Sequence, residues 1–151
     1  MIAISQGSAL DIAAIMPVMN HAFDPEFGEA WTAAQCLSTL AIPGAQLLIA
    51  RLDGEIAGFA LTRGIIDEEE LLLIGALPSF RRQGIGRQLI ASLHQACVKL
   101  GRSTLFLEVR DGNNAYSFYV SMGFLTIGRR PGYYKSTRGI RYDSITMALA
   151  L

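Results

Sequence analysis

The sequence predicts a mixed α/β fold in which helices cover the faces of one sheet. The main observation is the order of the predicted elements: a strand, two helices, three strands, a helix, a strand, a helix and two strands. The second is composition, because 151 residues with 51% hydrophobic and 17% charged side chains can bury one core without disulfides. We therefore expect a single domain over residues 1–151.

The N-terminal part is predicted to hold one strand and two short helices. Residues 2–5 form a strand candidate, and SALD at residues 8–11 is a capping box that begins a helix. Pro17 is expected to kink or split that helix. Residues 23–31 (FDPEFGEAW) form a loop with three aromatic side chains, and TAAQ at residues 32–35 caps the second helix.

Three strands are predicted in the middle of the chain. Residues 46–51 and 55–62 are joined through an Asp-Gly pair, which is a strong hairpin signal. The third strand, residues 71–77, follows an acidic run at residues 67–70. We interpret that run as a solvated turn without a catalytic role.

The C-terminal half is predicted to alternate helices and strands. After Gly86, Leu89, Leu93, Cys97 and Leu100 recur at helical spacing and predict an amphipathic helix. The other predicted elements are a strand at residues 104–109, a helix from Asn113 or Asn114 to Gly123, strands at 124–129 and 144–150, and a long polar loop at 130–143. A loop of that length in a compact domain is usually functional.

Charge and composition exclude several functional classes. Thirteen basic residues balance thirteen acidic ones without a lysine-rich tract, so nucleic acid is not the expected ligand. The two cysteines and two histidines show no metal-ligand spacing, which predicts no metal site. Without a signal peptide or a membrane-length apolar run, a cytoplasmic protein with no membrane partner is expected, and its oligomeric state stays open.

The strongest functional signal is the segment LLLIGALPSFRRQGIGRQLIASL at residues 71–93. An apolar strand is followed there by a basic, glycine-broken turn and a helix. Such a turn can surround an anion with backbone N–H groups and a helix dipole, because glycines have no Cβ to block close approach. The dinucleotide fingerprint does not fit, since Leu89 stands where a third Gly or Ala is required, and no lysine completes a P-loop.

What does fit is Arg81-x-x-Gly84-x-Gly86, which resembles the acetyl-CoA signature of the GCN5-related N-acetyltransferase (GNAT) superfamily. The strand LFLEVR, the segment NNAYSFYVSMGF and the tail RRPGYYKSTRGIRYDSITMAL extend the resemblance from about Ala57 to the C-terminus. Together they resemble the RimI branch, which acetylates the N-terminus of a ribosomal small-subunit protein. The resemblance implies acetyl-CoA as co-substrate, a seven-stranded, mostly antiparallel mixed sheet with about four helices, and a V-shaped cleft between strands 4 and 5.

The resemblance also implies roles for individual residues. Glu108 takes the position of the general base, and Tyr119 that of the acid that protonates the departing CoA sulfur. The residues that carry over as contacts of the acyl group, pantetheine and pyrophosphate are Ile74, Gly75, Ala76, Arg81, Arg82, Gln83, Gly84, Ile85, Gly86 and Arg87. The CoA-contacting asparagine of the family falls on Asn113 when counted from the strand and on Gly112 when counted from the tyrosine, and we assign Asn113.

Spacing alone favours plainer roles for the same residues. Glu108 would be a strand-end acid that caps a nearby helix or pairs with Arg110, and Tyr119 would be a core tyrosine. Gly75 inside a strand marks a bulge or a close backbone approach. The chain departs from the family at Leu73, where a polar residue is frequent, and in the longer aromatic loop at residues 23–31.

The predicted acceptor is a protein N-terminus. An α-amino group with a pKa near 8 is roughly one-tenth neutral at pH 7, whereas a lysine is below about one-thousandth, so a single glutamate is a more adequate base for the former. In this family the loop before the last strand walls the acceptor side, which puts Tyr133 and Tyr134 against the first substrate residues. The alternatives are a small-molecule amine or lysine acetyltransferase, and a CoA-binding sensor without turnover.

Overall fold

The computed structural model describes residues 1–151 and contains one seven-stranded sheet. The strands and α-helices are β1 (Ile2–Gly7), α1 (Ile12–Ala22), α2 (Ala33–Leu40), β2 (Ala45–Leu52), β3 (Glu55–Ile65), β4 (Glu68–Ala76), α3 (Ile85–Lys99), β5 (Thr104–Arg110), α4 (Ala115–Ser121), β6 (Leu125–Lys135) and β7 (Arg141–Ala150). Short 3-10 helices lie at Ala9–Asp11, Pro25–Phe27 and Pro78–Phe80. The predicted order of strands and helices is confirmed.

The sheet opens between β4 and β5, its only parallel pair. The strand order is β1-β2-β3-β4-β5-β7-β6, and every other neighbouring pair is antiparallel. Pairing of β4 with β5 begins at Glu68 with Thr104 and ends at Leu71 with Leu107. Beyond that point the two strands diverge, which gives the predicted V-shaped cleft.

A β-bulge at Leu72 lies where β4 leaves β5. Leu61 of β3 pairs with Leu73, but the next residue of β3 pairs with Leu71, so Leu72 is the extra residue. A bulge bends its strand and increases the local twist. Leu71 consequently packs in the core on the α3 face, whereas Leu73 packs in the core on the α1 face.

Gly75 is not the site of this distortion, which corrects the sequence-based expectation. It pairs in regular register with Phe59 of β3. A Cβ at this position would lie 3.0 Å from the Cβ of Ala22 and 3.2 Å from the Phe59 ring. The close approach of the end of α1 therefore requires the glycine.

Two hydrophobic cores cover the two faces of the sheet. The face under α3 is packed by Ile85, Leu89, Ile90, Leu93 and Cys97 of that helix. The opposite face is packed by Ile12, Ile15, Val18 and Met19 of α1 and by Cys36 of α2. Burying one such aliphatic side chain contributes roughly 1.5–3 kcal/mol, so both helices are held firmly against the strands that form the cleft.

The acidic run at residues 67–70 is not a solvated turn, because β4 already begins at Glu68. Glu69 is completely buried and accepts hydrogen bonds from Thr62 Oγ1 at 2.8 Å and from Gln46 Nε2 at 3.2 Å. Its other oxygen forms an ion pair of 3.0 Å with Arg102. These partners come from other strands and from the turn between α3 and β5, so no local pattern indicated them.

The polar loop predicted at residues 130–143 is mostly strand. β6 continues to Lys135 and β7 begins at Arg141, which leaves a turn of residues 136–140. The pairing register of the two strands shifts between Arg130 and Tyr134. There Gly132 donates its N–H to Asp143 Oδ1 at 2.9 Å, so the irregular stretch remains paired in spite of its polar sequence.

Two expectations for helices also need correction. The first long helix continues through Pro17 without a break. In α3 the apolar stripe ends before Leu100, which follows the helix and is 55% exposed. No helix of the chain is long and apolar enough to cross a membrane.

Candidate active site

A cavity of about 1310 Å³ lies in the opening between β4 and β5. Its walls come from both strands, from the turn before α3, from α4 and from the loop between α1 and α2. All of the predicted site residues except Gln83 and Tyr133 line it. The fold therefore brings together residues that lie as far apart in the chain as Ile74 and Tyr134.

The free edge of β4 offers backbone groups to the cavity. Leu77 donates its N–H to Ala57 at 2.8 Å, and hydrogen-bonded and non-hydrogen-bonded pairs alternate along an antiparallel ladder. Ala76 and Ile74 therefore occupy positions whose N–H and C=O point away from β3, toward the cleft. Gly75 points these groups at β3 instead. An extended chain in the cleft can pair with this edge as an added strand.

The turn before α3 is shaped to bind an anion. None of the backbone N–H groups from Arg82 to Arg87 donates a hydrogen bond within the protein. Arg82 and Gly84 have left-handed backbone conformations, with φ of 64° and 83°, and no side chain caps the helix. Free N–H groups and the positive end of a 15-residue helix suit a pyrophosphate, so this part of the chain fits acetyl-CoA.

The arginines of this turn have different partners. Arg81 donates from its Nη2 to the carbonyl of Ala22 at 2.9 Å and so ties the turn to the end of α1. Arg82 and Arg87 are exposed and make no ion pair within the protein, which leaves both guanidinium groups free for phosphate oxygens. Gly86 has a packing role, because a Cβ there would lie 3.1 Å from the Phe118 ring.

Glu108 lies on β5 just beyond the last residue paired with β4. Its Oε1 forms an ion pair of 3.1 Å with Arg130 Nε and accepts a hydrogen bond of 3.4 Å from Thr146 Oγ1. The pairing with Arg110 that spacing alone suggested does not occur. The carboxylate lines the cavity at the point where the two strands separate.

Tyr119 reaches the same cavity from α4 and is only 7% exposed. Its ring packs edge-on against Phe124, with 5.8 Å between centroids, and its hydroxyl makes no hydrogen bond within the protein. Burial raises the pKa of Tyr119 well above its ordinary value, and nearby Glu29 and Tyr134 raise it further. The phenol therefore keeps its proton at neutral pH, as a proton donor must.

The two tyrosines of β6 differ in their position. Tyr134 is partly buried and lines the cavity, and burial raises its pKa. Tyr133 is 54% exposed, lies outside the cavity and stacks edge-on against Tyr134 at 5.1 Å. Alternation along the strand thus turns only one of the pair toward the cleft.

Asn113 and Gly112 both line the cavity, so lining the cavity does not distinguish which of them takes the position of the CoA-contacting asparagine. The Asn113 side-chain oxygen accepts a hydrogen bond of 2.9 Å from the Ala115 N–H, which caps the first turn of α4. Its side-chain nitrogen is free to donate. The assignment of Asn113 to the CoA contact stays a prediction.

Three charged residues of the cavity were not recognised as site residues in the sequence, Asp24, Glu29 and Arg110. The Arg110 guanidinium lies 3.5 Å from the centroid of the Phe27 ring, its Nε has no hydrogen-bond partner, and its Nη2 is 3.9 Å from Glu29 Oε1. Burial raises the pKa of Glu29 in spite of the nearby guanidinium. The unusual length of the aromatic loop was the only signal in the sequence.

This loop touches the β6–β7 hairpin across the acceptor side of the cleft. Thr137 donates its N–H to the carbonyl of Glu26 at 2.9 Å. The Phe27 ring meets the Tyr142 ring edge-on, with 5.6 Å between centroids. The loop and the hairpin therefore form one continuous wall.

Comparison with known proteins identifies relatives of this arrangement. A family model described as the acetyltransferase (GNAT) domain matches residues 18–145. The curated "[Ribosomal protein bS18]-alanine N-acetyltransferase" of Escherichia coli K12 is 42% identical over 100 residues, which are 66% of this chain and 67% of that protein.

Solved structures agree with the sequence relatives. The crystal structure of the ribosomal-protein-S18-alanine N-acetyltransferase from Escherichia coli superimposes with a TM-score of 0.89 and 33% identity, over 99% of this chain and 94% of that one. A putative acetyltransferase from Salmonella typhimurium, solved with its cofactor acetyl-CoA, has a TM-score of 0.79 and 21% identity. It covers 100% of this chain and 94% of its own, and at that identity it shows a shared fold.

Proposed function

The chain belongs to the GNAT acetyltransferase family and is an acetyl-CoA-dependent N-acetyltransferase, and we propose that its acceptor is the N-terminal α-amino group of a protein. The observation that carries this proposal is that Glu108, just beyond the last β4–β5 pair, and Tyr119 line the same cavity. Both a base for the amine and an acid for the thiolate line the same cavity there. A CoA-binding sensor without turnover has no need of either group.

The names of the relatives support a ribosomal protein as acceptor. The Escherichia coli relative is named for the alanine of ribosomal protein bS18 that it acetylates. We propose a similar RimI-like acceptor for this chain, the N-terminus of a small-subunit ribosomal protein, and hence action in the cytoplasm. A small-molecule amine is the second candidate for the acetyl acceptor, because the cavity of about 1310 Å³ also admits compact amines.

In the proposed reaction each residue has one task. Acetyl-CoA supplies an activated acetyl group. Glu108 takes the proton that the attacking amine loses, and Tyr119 gives a proton to the departing thiolate. The backbone N–H of Ala76, on the free edge of β4, is placed to polarise the thioester carbonyl. Neither cysteine takes part, since Cys36 and Cys97 are buried in the two cores and burial raises the pKa of Cys97 to about 11.

A panel assay tests the proposal. The protein is incubated with acetyl-CoA and with alanine-initiated peptides, N-terminally blocked lysine peptides or small amines, while CoA release is followed. We expect kcat/KM to be highest for peptides with a free N-terminus. Equal or faster turnover of the blocked lysine peptides or of the small amines would refute the proposed acceptor, and absence of any CoA release would favour the sensor.

A further inference from the structure

Glu29 is a partly buried carboxylate without adequate partners. Its side chain is 20% exposed, and its single polar contact is the 3.9 Å approach of Arg110 Nη2, which is too long for a hydrogen bond. A carboxylate removed from water is costly unless donors replace its hydration. The position therefore favours a ligand that brings N–H donors and positive charge.

The loop holds Glu29 firmly at the acceptor side of the cleft. Gly28 ends the preceding 3-10 turn in a left-handed conformation, with φ of 59°, and so redirects the chain before Glu29. Phe27 is clamped between Arg110 and Tyr142, and the carbonyl of Glu26 is bonded to the hairpin. Arg110, with its guanidinium on the Phe27 ring, is a positioning residue for this segment.

Glu29 also differs from Glu108 in the ion pairs and hydrogen bonds that its carboxylate forms within the protein. Glu108 has an ion pair with Arg130 and a hydrogen bond from Thr146, whereas Glu29 accepts no hydrogen bond within the protein. Both carboxylates line the same cavity, together with Tyr119 and Tyr134. The negative charge of Glu29 contributes to the raised pKa values of the two tyrosines, after the larger effect of burial.

We propose that Glu29 receives the amino group of the acceptor and accepts hydrogen bonds from its N–H groups. This inference rests on the proposed function and names the residue that recognises the amine. Glu29 holds the amino group through its charge and lone pairs, while the proton leaves to Glu108. The family assignment of Glu108 and Tyr119 included no such residue, and the segment that carries Glu29 is one of those in which this chain departs from the family pattern.

Paired ligands test the proposal by binding alone. In the presence of CoA, calorimetry compares an alanine-initiated peptide with the same peptide lacking its α-amino group. The full-length wild-type protein should bind the amino peptide about tenfold or more tightly. Glu29→Gln, which keeps the shape but removes the charge, should reduce this preference to about twofold. Glu26→Gln, the same change three residues earlier and outside the cavity, should keep the wild-type preference.

Two controls make every result decisive. Unchanged affinity for acetyl-CoA shows that a variant is folded. Glu29→Asp keeps the negative charge, so it should retain part of the preference for the amino peptide that Glu29→Gln loses. A wild-type preference in Glu29→Gln, or its loss in Glu108→Gln alone, would overturn the role of Glu29 and leave the proposed function intact. A wild-type protein indifferent to the α-amino group would overturn both.

Discussion

The two ends of the cleft recognise their ligands in different ways. At the phosphate end, we propose that the free backbone N–H groups of the continuous segment 82–87 do most of the binding. At the acceptor end, side chains arrive from the aromatic loop, from β5, from α4 and from β6. A site built from a continuous backbone segment is encoded locally, whereas a site assembled from four elements depends on the whole fold.

The two ends also differ in charge. Arg82 and Arg87 are unpaired arginines beside the phosphate turn, and Glu29 and Glu108 are the carboxylates of the acceptor end. The unpaired arginines favour an anionic pyrophosphate at the first end. At the second end Arg110 and Arg130 lie beside the two carboxylates and offset much of their charge.

The largest expected effect separates chemistry from cofactor binding. Glu108→Gln keeps the size and hydrogen bonding of the side chain but removes its basicity, so kcat should fall by about 10² to 10⁴. The dissociation constant of acetyl-CoA should hardly change, because the phosphate turn is untouched. Wild-type turnover at saturating substrates would disprove the role of Glu108.

Tyr119→Phe should lower kcat by roughly 10², since the departing thiolate loses its proton donor while the ring still packs on Phe124. The raised pKa of Tyr119 adds a pH test. Because burial raises the pKa above the ordinary 10.0, the phenol keeps its proton as the pH rises, and kcat should not decline from its ionisation below about pH 10. A kcat for the Phe variant equal to that of the wild type would exclude this acid.

The phosphate end can be perturbed through backbone geometry. Gly84→Val places a β-branched residue at a φ of 83°, which strains the turn, and should weaken acetyl-CoA binding about tenfold or more. Gly54→Val is the matched control, because Gly54 has a φ of 87° in the distant β2–β3 turn and open space around its Cβ position. Both variants should lose similar thermal stability, but only Gly84→Val should lose cofactor affinity. Equal cofactor affinities in the two variants would contradict the anion-binding turn.

The smallest expected effect concerns the acceptor wall. Tyr134→Ala should raise KM for peptides several-fold, because its side chain lines the cavity, with acetyl-CoA affinity unchanged. Tyr133→Ala should change KM much less, since Tyr133 lies outside the cavity. The reverse order of the two effects would show that the peptide follows the exposed face of β6.

The comparison also explains how far the sequence alone could lead. The glycine-broken turn, the amphipathic helix behind it and the order of strands follow local patterns, and all of these were predicted correctly. Glu69 was misassigned because its partner Arg102 is 33 residues away. The distal part of the β6–β7 hairpin, residues 130–143, was taken for a loop because its irregular pairing depends on contacts such as that of Gly132 with Asp143.

The contribution of the aromatic loop to the acceptor end escaped prediction for the same reason. Nothing in the local sequence of residues 23–31 indicates that Phe27 will meet Arg110, or that Glu29 will line the same cavity as Tyr119. Glu108 was proposed through the family resemblance, although its ion-pair partner proved to be Arg130 rather than Arg110. Side chains that meet only in the folded chain have no fixed spacing in sequence.

The most direct test of the account is the position of the transferred acetyl group. A peptide that begins with a free alanine and contains an internal lysine is incubated with the protein and acetyl-CoA, and the product is sequenced by tandem mass spectrometry. The account predicts acetylation of the α-amino group alone, because the acceptor end of the cleft is built to receive a chain terminus. Acetylation of the lysine side chain, with the α-amino group left free, would contradict it.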